Sequence, residues 1–464
     1  MSRAWSCLAI AVLVAGVPLP VRADSLNDLA RAYVAGRSSG RAVEAARASL
    51  PSYARQTGLA CSACHYQFLA LNPYGRRFKL NGYTLTTRQL ITEKDSSTGG
   101  KLDLSPFSLL SAMVTAGVTH LNDDLPGTQN DAAAMPQELS LFVAGQISSK
   151  IGIFSQLTYA GPDGAFGIDN VDIRYANHTT GDTPIVYGLT LNNSPTVQDL
   201  WNTTPVWGYP FNGSDAAPGP NAAPVIDGAF SQNVLGFGGY TMINDLVYAE
   251  FSMYRSAIQG QAAPGDLSGA ISGIAPYWRL ALQKEFGKKY LMLGTFGMYA
   301  NVFPDVLSGP TNAYTDIGVD AQFETPVGKG NLVARTAYIH ESQTLDATFD
   351  AGDATTASND LTTFKLNASW YPTQLFGLTA GYFQTTGSTD PLLYPDDPVD
   401  GSANGSPKTT GFTGEVDFNP WENTRVGLQY TGYGSFNGGT TDYDGSGRNA
   451  SGNNSLFLFA WLAF

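Results

Sequence analysis

The chain has 464 residues, of which 26 are Lys or Arg and 39 are Asp or Glu, so its formal net charge is −13 at pH 7. This excess of acid argues against a nucleic-acid-binding protein, which needs a basic surface. A mean hydropathy of −0.10 excludes a bundle of membrane helices but not a membrane β-barrel, because the lumen face of a barrel is polar. With three Cys and four His the chain offers few metal ligands and is too poor in cysteine for a disulfide scaffold.

The first residues predict an export signal. Arg3 supplies a positive charge, residues 8–17 form an apolar run, and residues 21–23 provide a cleavage site. The apolar run is too short to anchor the chain in a bilayer. We therefore expect residues 1–23 to be removed as a signal peptide, so that the exported chain keeps two of its three cysteines.

The next region carries the most specific motif of the chain. Residues 24–60 have apolar side chains at helical spacing, and they lead into Cys61-Ser62-Ala63-Cys64-His65. This is the pattern of c-type haem attachment: two thiols one turn apart each bond one vinyl group, and the adjacent His65 reaches the iron. The alternatives are a disulfide, a zinc half-site or coincidence, and no second Cys/His pair follows to complete a zinc site. The residues predict one covalent haem c.

Residues after the motif are candidates to surround this haem. Its edges are expected to contact four apolar or aromatic side chains, namely Phe68, Leu71, Phe78 and Tyr83. Its propionates are expected to be neutralised by the nearby basic side chains Arg76, Arg77 and Lys79. The alternative for these charges is a basic turn in contact with water.

From about residue 103 onward the pattern changes to alternation of apolar and polar residues, the period of a strand. There are roughly sixteen such runs, from 107–119 to 455–464. Tight turns such as 244–245 alternate with long loops such as 193–231. This alternation is typical of outer-membrane barrels, and the final run ending in Phe464 resembles their assembly signal. The alternative is a secreted β-sandwich or solenoid.

Met113 is the candidate for the sixth iron ligand. In the first barrel strand Leu110, Ala112 and Val114 form the expected lipid face, so that Met113 points into the lumen. A methionine among polar lumen residues is unusual if its role is only to pack, and its sulfur suits an axial ligand of haem iron. The alternatives are an open sixth position or another ligand.

Together these features predict an all-β protein. An outer-membrane antiparallel β-barrel of about sixteen strands is expected over residues 103–464. A small α-helical c-type haem domain, residues 24–102, is expected to plug its periplasmic mouth, since a barrel of this size has room for a plug. The expected location is the outer membrane of a Gram-negative bacterium, with the haem domain on the periplasmic or lumen side.

The residues around the motif resemble a known family. The start YARQTG-x-x-CSACH-x-x-F (53–68) and the continuation N-x-x-GRRFK-x-NGY (72–83), followed at once by a barrel, are similar to the fused outer-membrane monohaem cytochrome c–porin family. Some members of that family are iron(II) oxidases of iron-oxidising bacteria. Stretches of the loop at 192–208 also look like those of the family.

The resemblance implies an outer-membrane electron-transfer protein. It would carry electrons through the haem from an extracellular donor, Fe(II), to a periplasmic c-type cytochrome or other soluble carrier, and so act as an Fe(II) oxidase. Acidic residues of the long loops are expected to gather Fe²⁺, namely Asp396, Asp397, Asp400, Asp442 and Asp444. The alternatives are a diffusion porin with a haem-bearing plug and an outward electron conduit to an extracellular acceptor. No catalytic triad, phosphate loop or paired-carboxylate site stands out.

Overall fold

The computed structural model describes residues 50–464 except 88–89, 95–100, 129, 162–163, 182, 258–269 and 305–307. In these residues sixteen long strands pair antiparallel, each with the next along the chain, and the last pairs with the first to close a barrel. The predicted sixteen-strand antiparallel barrel is therefore confirmed. The predicted signal peptide and residues 24–49 lie outside the described residues.

The strands are, in chain order, β1 Leu110–Leu121, β2 Ala132–Ser148, β3 Ile151–Ala160, β4 Ala165–His178, β5 Ile185–Asn192, β6 Val234–Ile243, β7 Val247–Ser256, β8 Ala275–Phe286, β9 Lys289–Phe303, β10 Asn312–Val327, β11 Gly330–Thr344, β12 Ser358–Tyr371, β13 Phe376–Gly387, β14 Thr409–Trp421, β15 Thr424–Ser435 and β16 Ser455–Ala463. A short strand, Ala270–Ile271, adds to the edge of β9. The first barrel strand begins at Leu110, a few residues after the predicted boundary at 103.

Alternation of side chains along each strand gives the barrel two different faces. In β10, Ile317 and Val319 are more than half exposed on the outside, whereas the flanking Asp316 and Asp320 are buried in the lumen. Neighbouring strands repeat this pattern because paired residues of adjacent strands point to the same face. The outer surface is therefore a belt of large apolar side chains around a polar interior.

The two ends of the barrel differ in the length of their connections. One end carries short turns, including 149–150, 244–246, 287–288, 328–329 and 422–423. The other end carries the long connections, including 388–408 and 436–454, and a short helix, Asp346–Ala351, between β11 and β12. The predicted alternation of tight turns and long loops is thus confirmed. Among the described residues, no helix is long and apolar enough to cross a membrane.

The residues ahead of β1 form a small irregular segment. It contains helix α1 (Ser52–Thr57), helix α2 (Pro73–Leu80) and a hairpin of His65–Gln67 with Ala70–Leu71. A second hairpin pairs Ile91–Lys94 with Lys101–Leu104. We call residues 51–87 the plug. The described part of residues 24–102 has two short helices, two hairpins and several turns, so the predicted helical domain over this range is not confirmed.

The plug lies inside the short-turn end of the barrel. The Tyr53 hydroxyl donates to the Ile153 carbonyl of β3 at 3.0 Å, and the Tyr83 hydroxyl donates to Asp172 of β4 at 2.6 Å. Backbones also meet: a Cβ at Gly152 would lie 2.1 Å from the Gly82 carbonyl oxygen. The glycine in β3 therefore allows the plug to approach the wall at a distance that no larger residue permits.

A long loop, residues 193–233, crosses the lumen above the plug, and we call it the lumen loop. Side chains of β4, β8, β11 and β15, on different sides of the barrel, all contact it. Its fold is organised by Asp199, which accepts backbone N–H groups of three following residues, Trp201, Thr203 and Thr204. Asp199 also lies 3.4 Å from the Arg279 guanidinium of β8. The loop that carries part of the family resemblance is therefore packed inside the barrel.

Candidate functional site

The Cys-x-x-Cys-His motif forms one tight turn at the short-turn end. The backbone N–H of Cys64 donates to the Cys61 carbonyl at 3.0 Å, which closes the turn and places the two cysteines on one side of it. Both thiols are free and partly buried. Cys61, Cys64 and His65 line the same cavity, which we call the thiol cavity. The structure therefore brings together the three residues predicted to hold haem.

Helix α2 holds the motif in place. The Asn72 side chain caps the helix by accepting the N–H groups of Tyr74 and Gly75 at 3.0 Å, and its amide donates to the Ala63 carbonyl at 3.0 Å. The helix backbone comes so close to the motif that a Cβ at Gly75 would lie 2.1 Å from the Cys64 carbonyl oxygen. The cap and the glycine together fix the position of both cysteines against the helix.

The walls of the thiol cavity are mainly apolar. The predicted edge residues Phe68, Leu71, Phe78 and Tyr83 all line it, and the barrel and the lumen loop add Phe142, Phe154 and Trp207. An apolar cavity with two thiols and a histidine at its edge has the character of a cofactor site, because such sites are mostly apolar with few polar groups.

The protonation states of the motif also fit this cofactor. Burial lowers the pKa of the His65 imidazole to about 4, so the ring is neutral at pH 7, as a ligand must be. The Nδ1 atom of His65 is buried without a hydrogen-bond partner. Burial raises the pKa of the Cys61 thiol, and burial together with Cys61 raises that of Cys64 to about 11. Both thiols are therefore protonated at pH 7. Among the described residues, no three His, Cys, Asp or Glu side chains are grouped to bind a metal ion.

Arg76 and Arg77, the predicted partners of the propionates, do not line the thiol cavity. Arg76 is buried in an ion pair with Glu324 of β10, and its guanidinium lies 4.3 Å from the centre of the Tyr290 ring. Arg77 is exposed and pairs with Asp245 in a short turn at 2.8 Å. Both charges are therefore engaged at the barrel wall rather than turned toward the motif.

Lys79 is the basic residue that lines the thiol cavity. It is 7% exposed; its Nζ donates to the Val197 carbonyl of the lumen loop at 2.7 Å and lies 4.7 Å from the centre of the Trp207 ring. Burial, with the nearby Arg174 charge, lowers the Lys79 pKa to about 7. Gly75, Phe78 and Lys79 share one face of α2, and Arg76 and Arg77 lie on others. The sequence shows this spacing, but packing of the plug decides which face meets the motif.

Met113 points into the lumen, as the alternation predicts, and it is 3% exposed. It does not line the thiol cavity. It lines an adjoining cavity together with Glu138, Asp169 and Asp215, and we call this the acidic cavity. The two cavities share the wall residues Phe68, Leu69, Phe142, Phe154 and Trp207. Ligation of haem iron by Met113 stays a prediction from the sequence, whereas the acidic cavity was not foreseen.

The acidic residues expected to gather Fe²⁺ include two that bind backbone instead. Asp444 accepts the N–H groups of Val399, Ser446 and Arg448 at 2.9–3.0 Å, and Asp442 accepts that of Gly447 at 2.6 Å. Partial burial acts to raise the pKa of Asp444, but these N–H groups outweigh it and hold the pKa below its usual value. These carboxylates therefore stabilise the long loops.

The chain resembles solved structures only at low sequence identity and with low TM-scores. No family model matches the sequence, and no curated protein matches it significantly. The outer-membrane channel DcaP of Acinetobacter baumannii is 13% identical with a TM-score of 0.45, over 76% of this chain and 96% of that one. OmpF of Salmonella typhi, in complex with daunomycin, is 13% identical with a TM-score of 0.45, over 80% of this chain and 100% of that one. A loop-deletion mutant of OmpT, an outer-membrane protein of Vibrio cholerae, is 11% identical with a TM-score of 0.43, over 76% and 98%.

Proposed function

We propose that this chain is an outer-membrane electron-transfer protein whose plug carries one covalent haem c. The observation that supports this most is the thiol cavity: two cysteines one turn apart and a neutral histidine meet at an apolar cavity in one end of a barrel. A chance Cys-x-x-Cys-His sequence has no reason to face such a cavity.

The outer face of the barrel supports the membrane location. Large apolar side chains are exposed on strand after strand, for example Phe237, Phe251 and Phe412, and a water-soluble protein rarely exposes so continuous an apolar surface. Exported barrels place their short turns in the periplasm and their long loops outside. The plug, at the short-turn end, would then face the periplasm, where haem is attached.

Each residue of the site has a defined task in this proposal. Cys61 and Cys64 would hold the haem, each through one carbon–sulfur bond to a vinyl group, with the thiol proton going to the other vinyl carbon. Neutral His65 offers a ring nitrogen to the iron, and Lys79 offers a positive charge to a propionate. When bound, haem c supplies an iron centre that takes up and releases one electron. The apolar walls exclude water from the cofactor.

The proposed donor is Fe(II), as the family resemblance implies. Fe²⁺ would give up one electron on the long-loop side and become Fe³⁺, and the electron would leave on the plug side to a soluble periplasmic c-type cytochrome. Oxidation on the outside keeps the poorly soluble product away from the periplasm. In this form the protein is an Fe(II) oxidase that acts by one-electron transfer.

Covalent haem is tested by expressing the mature chain with a cytochrome c maturation system. We expect the denatured polypeptide to keep a haem stain and the mass of one haem, and we expect Cys61→Ala/Cys64→Ala to lose both. Arg77→Gln, which changes an exposed residue of the same helix, is the matched control and should keep both. A colourless wild-type chain would reject the proposal. With haem present, stopped-flow mixing with Fe²⁺ should reduce it, and failure at every pH would reject iron as the donor.

A diffusion porin with a haem-bearing plug is the second candidate. It is favoured by a cavity between the lumen loop and the wall that polar residues line, including Thr363, Lys365, Asn367, Gln384 and Gln429. Single-channel recording in planar bilayers separates the two functions. Because the plug and the lumen loop occupy the lumen, we expect little steady conductance, whereas a large and stable open level would favour the porin.

A further inference from the structure

A cleft opens at the short-turn end of the barrel, between helix α2 of the plug and the wall. We call it the rim cleft, and the residues of α2 and of the wall that line it include Pro73, Tyr74, Arg77, Asp245, Lys284 and Tyr290. Its volume is about 710 Å³. Buried apolar side chains, namely Leu80, Leu200 and Met242, also line it. The cleft therefore combines an apolar interior with charged side chains at its edge.

The rim cleft adjoins the Cys-x-x-Cys-His motif through the start of α2. Tyr74 lines the cleft and is 38% exposed. Partial burial, together with the neighbouring Cys64, raises the pKa of Tyr74. The next residue, Gly75, approaches the Cys64 carbonyl so closely that a Cβ there would lie 2.1 Å from its oxygen. A protein seated in the rim cleft would thus contact the helix that holds both cysteines.

Charged side chains at this end of the barrel are mainly basic. Among the described residues, the exposed basic ones are Arg77, Lys150, Lys284, Lys288, Lys289 and Lys329. The exposed acidic ones are Asp245, Glu285 and Glu422, and Asp245 is paired with Arg77 at 2.8 Å. The whole chain has a formal charge of −13, and exposed carboxylates such as Asp396 and Asp397 lie in the long loops. The short-turn end therefore differs in sign from the rest of the protein.

Four of these lysines lie on one side of the rim, next to the cleft. Lys284 lines the cleft, and Lys288 and Lys289 follow in the turn between β8 and β9. Lys329 is in the next short turn along the rim, between β10 and β11, because β9 pairs with β10. Charges of one sign on neighbouring turns attract a partner of the opposite sign and speed its association.

We propose that the rim cleft is the docking site of an acidic soluble electron carrier. Acidic side chains of the carrier contact Lys284, Lys288 and Lys289, and an apolar side chain near its redox group enters the cleft beside Tyr74. In each encounter the haem of the plug loses one electron and the carrier gains it. Small interfaces are typical of such weak redox encounters. The role as electron exit rests on the proposed function, whereas the docking of an acidic protein does not.

An acidic protein fits this surface better than the other anionic surface at this end, the lipid head groups. The rim cleft lies between the plug and the inside of the wall, and lipid surrounds the outside of the barrel. Tyr74 and Arg77 belong to the plug, so that a partner which contacts them has to approach along the barrel axis from the aqueous side.

Docking is tested with the full mature protein in detergent and two soluble c-type cytochromes of similar size, one acidic and one basic. We expect surface plasmon resonance to show tighter binding of the acidic cytochrome, and this binding to weaken as salt is added. Lys284→Glu should weaken it by at least about threefold, because reversing an exposed charge replaces attraction by repulsion. Tyr74→Ala should weaken it as well. Lys408→Glu reverses an exposed lysine of a long loop and is the matched control.

Equal binding of the two cytochromes by wild type, or equal loss in Lys284→Glu and Lys408→Glu, would overturn the proposal. Lys288→Glu, in a turn, serves if Lys284→Glu does not reach the folded, heat-modifiable form on a gel. Native mass spectrometry covers the lipid: if Lys284→Glu loses bound phosphatidylglycerol but binds the acidic cytochrome as wild type does, the lysines serve the lipid and the proposal fails.

A photo-crosslinker identifies what occupies the cleft. Leu246 lines it and is 41% exposed, so we replace Leu246 by p-benzoylphenylalanine. We expect cross-links to the acidic cytochrome, whereas cross-links to residues 24–49 or to a second copy of the chain would overturn the proposal. A colourless protein that still binds the acidic cytochrome through Lys284 would reject the proposed function and keep the docking site. A red protein that Fe²⁺ reduces, but that binds this cytochrome no better than Lys284→Glu does, would do the reverse.

Discussion

Carboxylates are neutralised differently around the plug and in the long loops. Around the plug, arginine side chains pair with them: Arg174 with Asp172 at 2.7 Å, Arg279 with Asp320 at 2.7 Å, and Arg425 with Asp417 at 2.7 Å. All of these pairs are buried. In the long loops, backbone N–H groups take the same role: Asp390 accepts those of Thr355, Thr356, Leu392 and Leu393, and Asp444 accepts three others.

This difference shows where an acidic side chain is available to a ligand. A carboxylate beside a buried arginine is neutral as a pair, and one within a turn of N–H groups is held by the backbone. We also expect removal of one charged side chain to destabilise the plug more than the long loops. An unpaired buried charge lowers the free energy of unfolding more than the loss of a few hydrogen bonds does.

Arg174→Met is expected to give the largest effect. Arg174 is fully buried, pairs with Asp172, and donates to the Lys79 carbonyl of the plug at 3.2 Å and the Gln198 carbonyl of the lumen loop at 2.9 Å. Its loss leaves Asp172 unpaired, so we expect the plug to lose about 3–5 kcal/mol of local stability. Hydrogen exchange of residues 51–87 measures this. Asp172→Asn/Arg174→Met should recover part of the loss, and two variants of equal stability would contradict the ion-pair account.

Gly152→Ala tests the contact between plug and wall without changing charge. The new Cβ would lie 2.1 Å from the Gly82 carbonyl oxygen, so the plug must shift, at a cost of about 1–3 kcal/mol. We expect faster proteolysis of the plug and higher conductance. Gly167→Ala in the next strand is the control, because no atom lies within 4 Å of a Cβ built there. Similar behaviour of the two variants would show that the plug is not held at this point.

Asp444→Asn probes the opposite region and should have a smaller effect. Three N–H groups lower the pKa of Asp444 in the fold despite its partial burial, so the unfolded loop binds more protons than the folded one at acid pH. Its stabilisation is therefore complete well above pH 3.8 and is lost as pH falls through the lower folded pKa. We expect Asp444→Asn to loosen the loop by about 1–3 kcal/mol at pH 7, measured by protease cleavage within 436–454.

In the same assay the wild-type loop should become sensitive to cleavage as the pH falls below about 4, with an acid-stable protease as the probe. Asp396→Asn, which changes an exposed side chain, should leave cleavage at pH 7 as it is in wild type. If Asp444→Asn and wild type are cleaved alike from pH 7 to pH 3, the backbone contacts of Asp444 do not stabilise the loop.

Met113→Leu should have the smallest effect on the haem itself. Met113 lines the acidic cavity rather than the thiol cavity, so we expect the absorption spectrum and midpoint potential of the haem to stay as in wild type. Loss of a sulfur-to-iron charge-transfer band in the variant would instead establish the ligation predicted from the sequence. Lys79→Met is the companion variant: it removes the positive charge at the thiol cavity and should lower the midpoint potential.

The barrel and the haem motif could be predicted from the sequence because both are local patterns. Alternation within each strand reports its two faces, and Cys61 to His65 are consecutive in one turn. The choice of Lys79 over Arg76 and Arg77 needed the face of α2 that meets the motif, which is set by packing of the plug. The acidic cavity could not be predicted, because Glu138, Asp169 and Asp215 come from two strands and the lumen loop and meet only when the barrel closes.

The position of the thiols has a consequence for the order of biogenesis. Cys61 and Cys64 line a cavity whose walls include residues of β1, β2, β3 and the lumen loop. On the proposed function, haem bonded to both sulfurs would fill this cavity, and its walls come together only when the strands pair. The cofactor would therefore be attached to the unfolded chain in the periplasm, and insertion into the lipid would then close the strands around it.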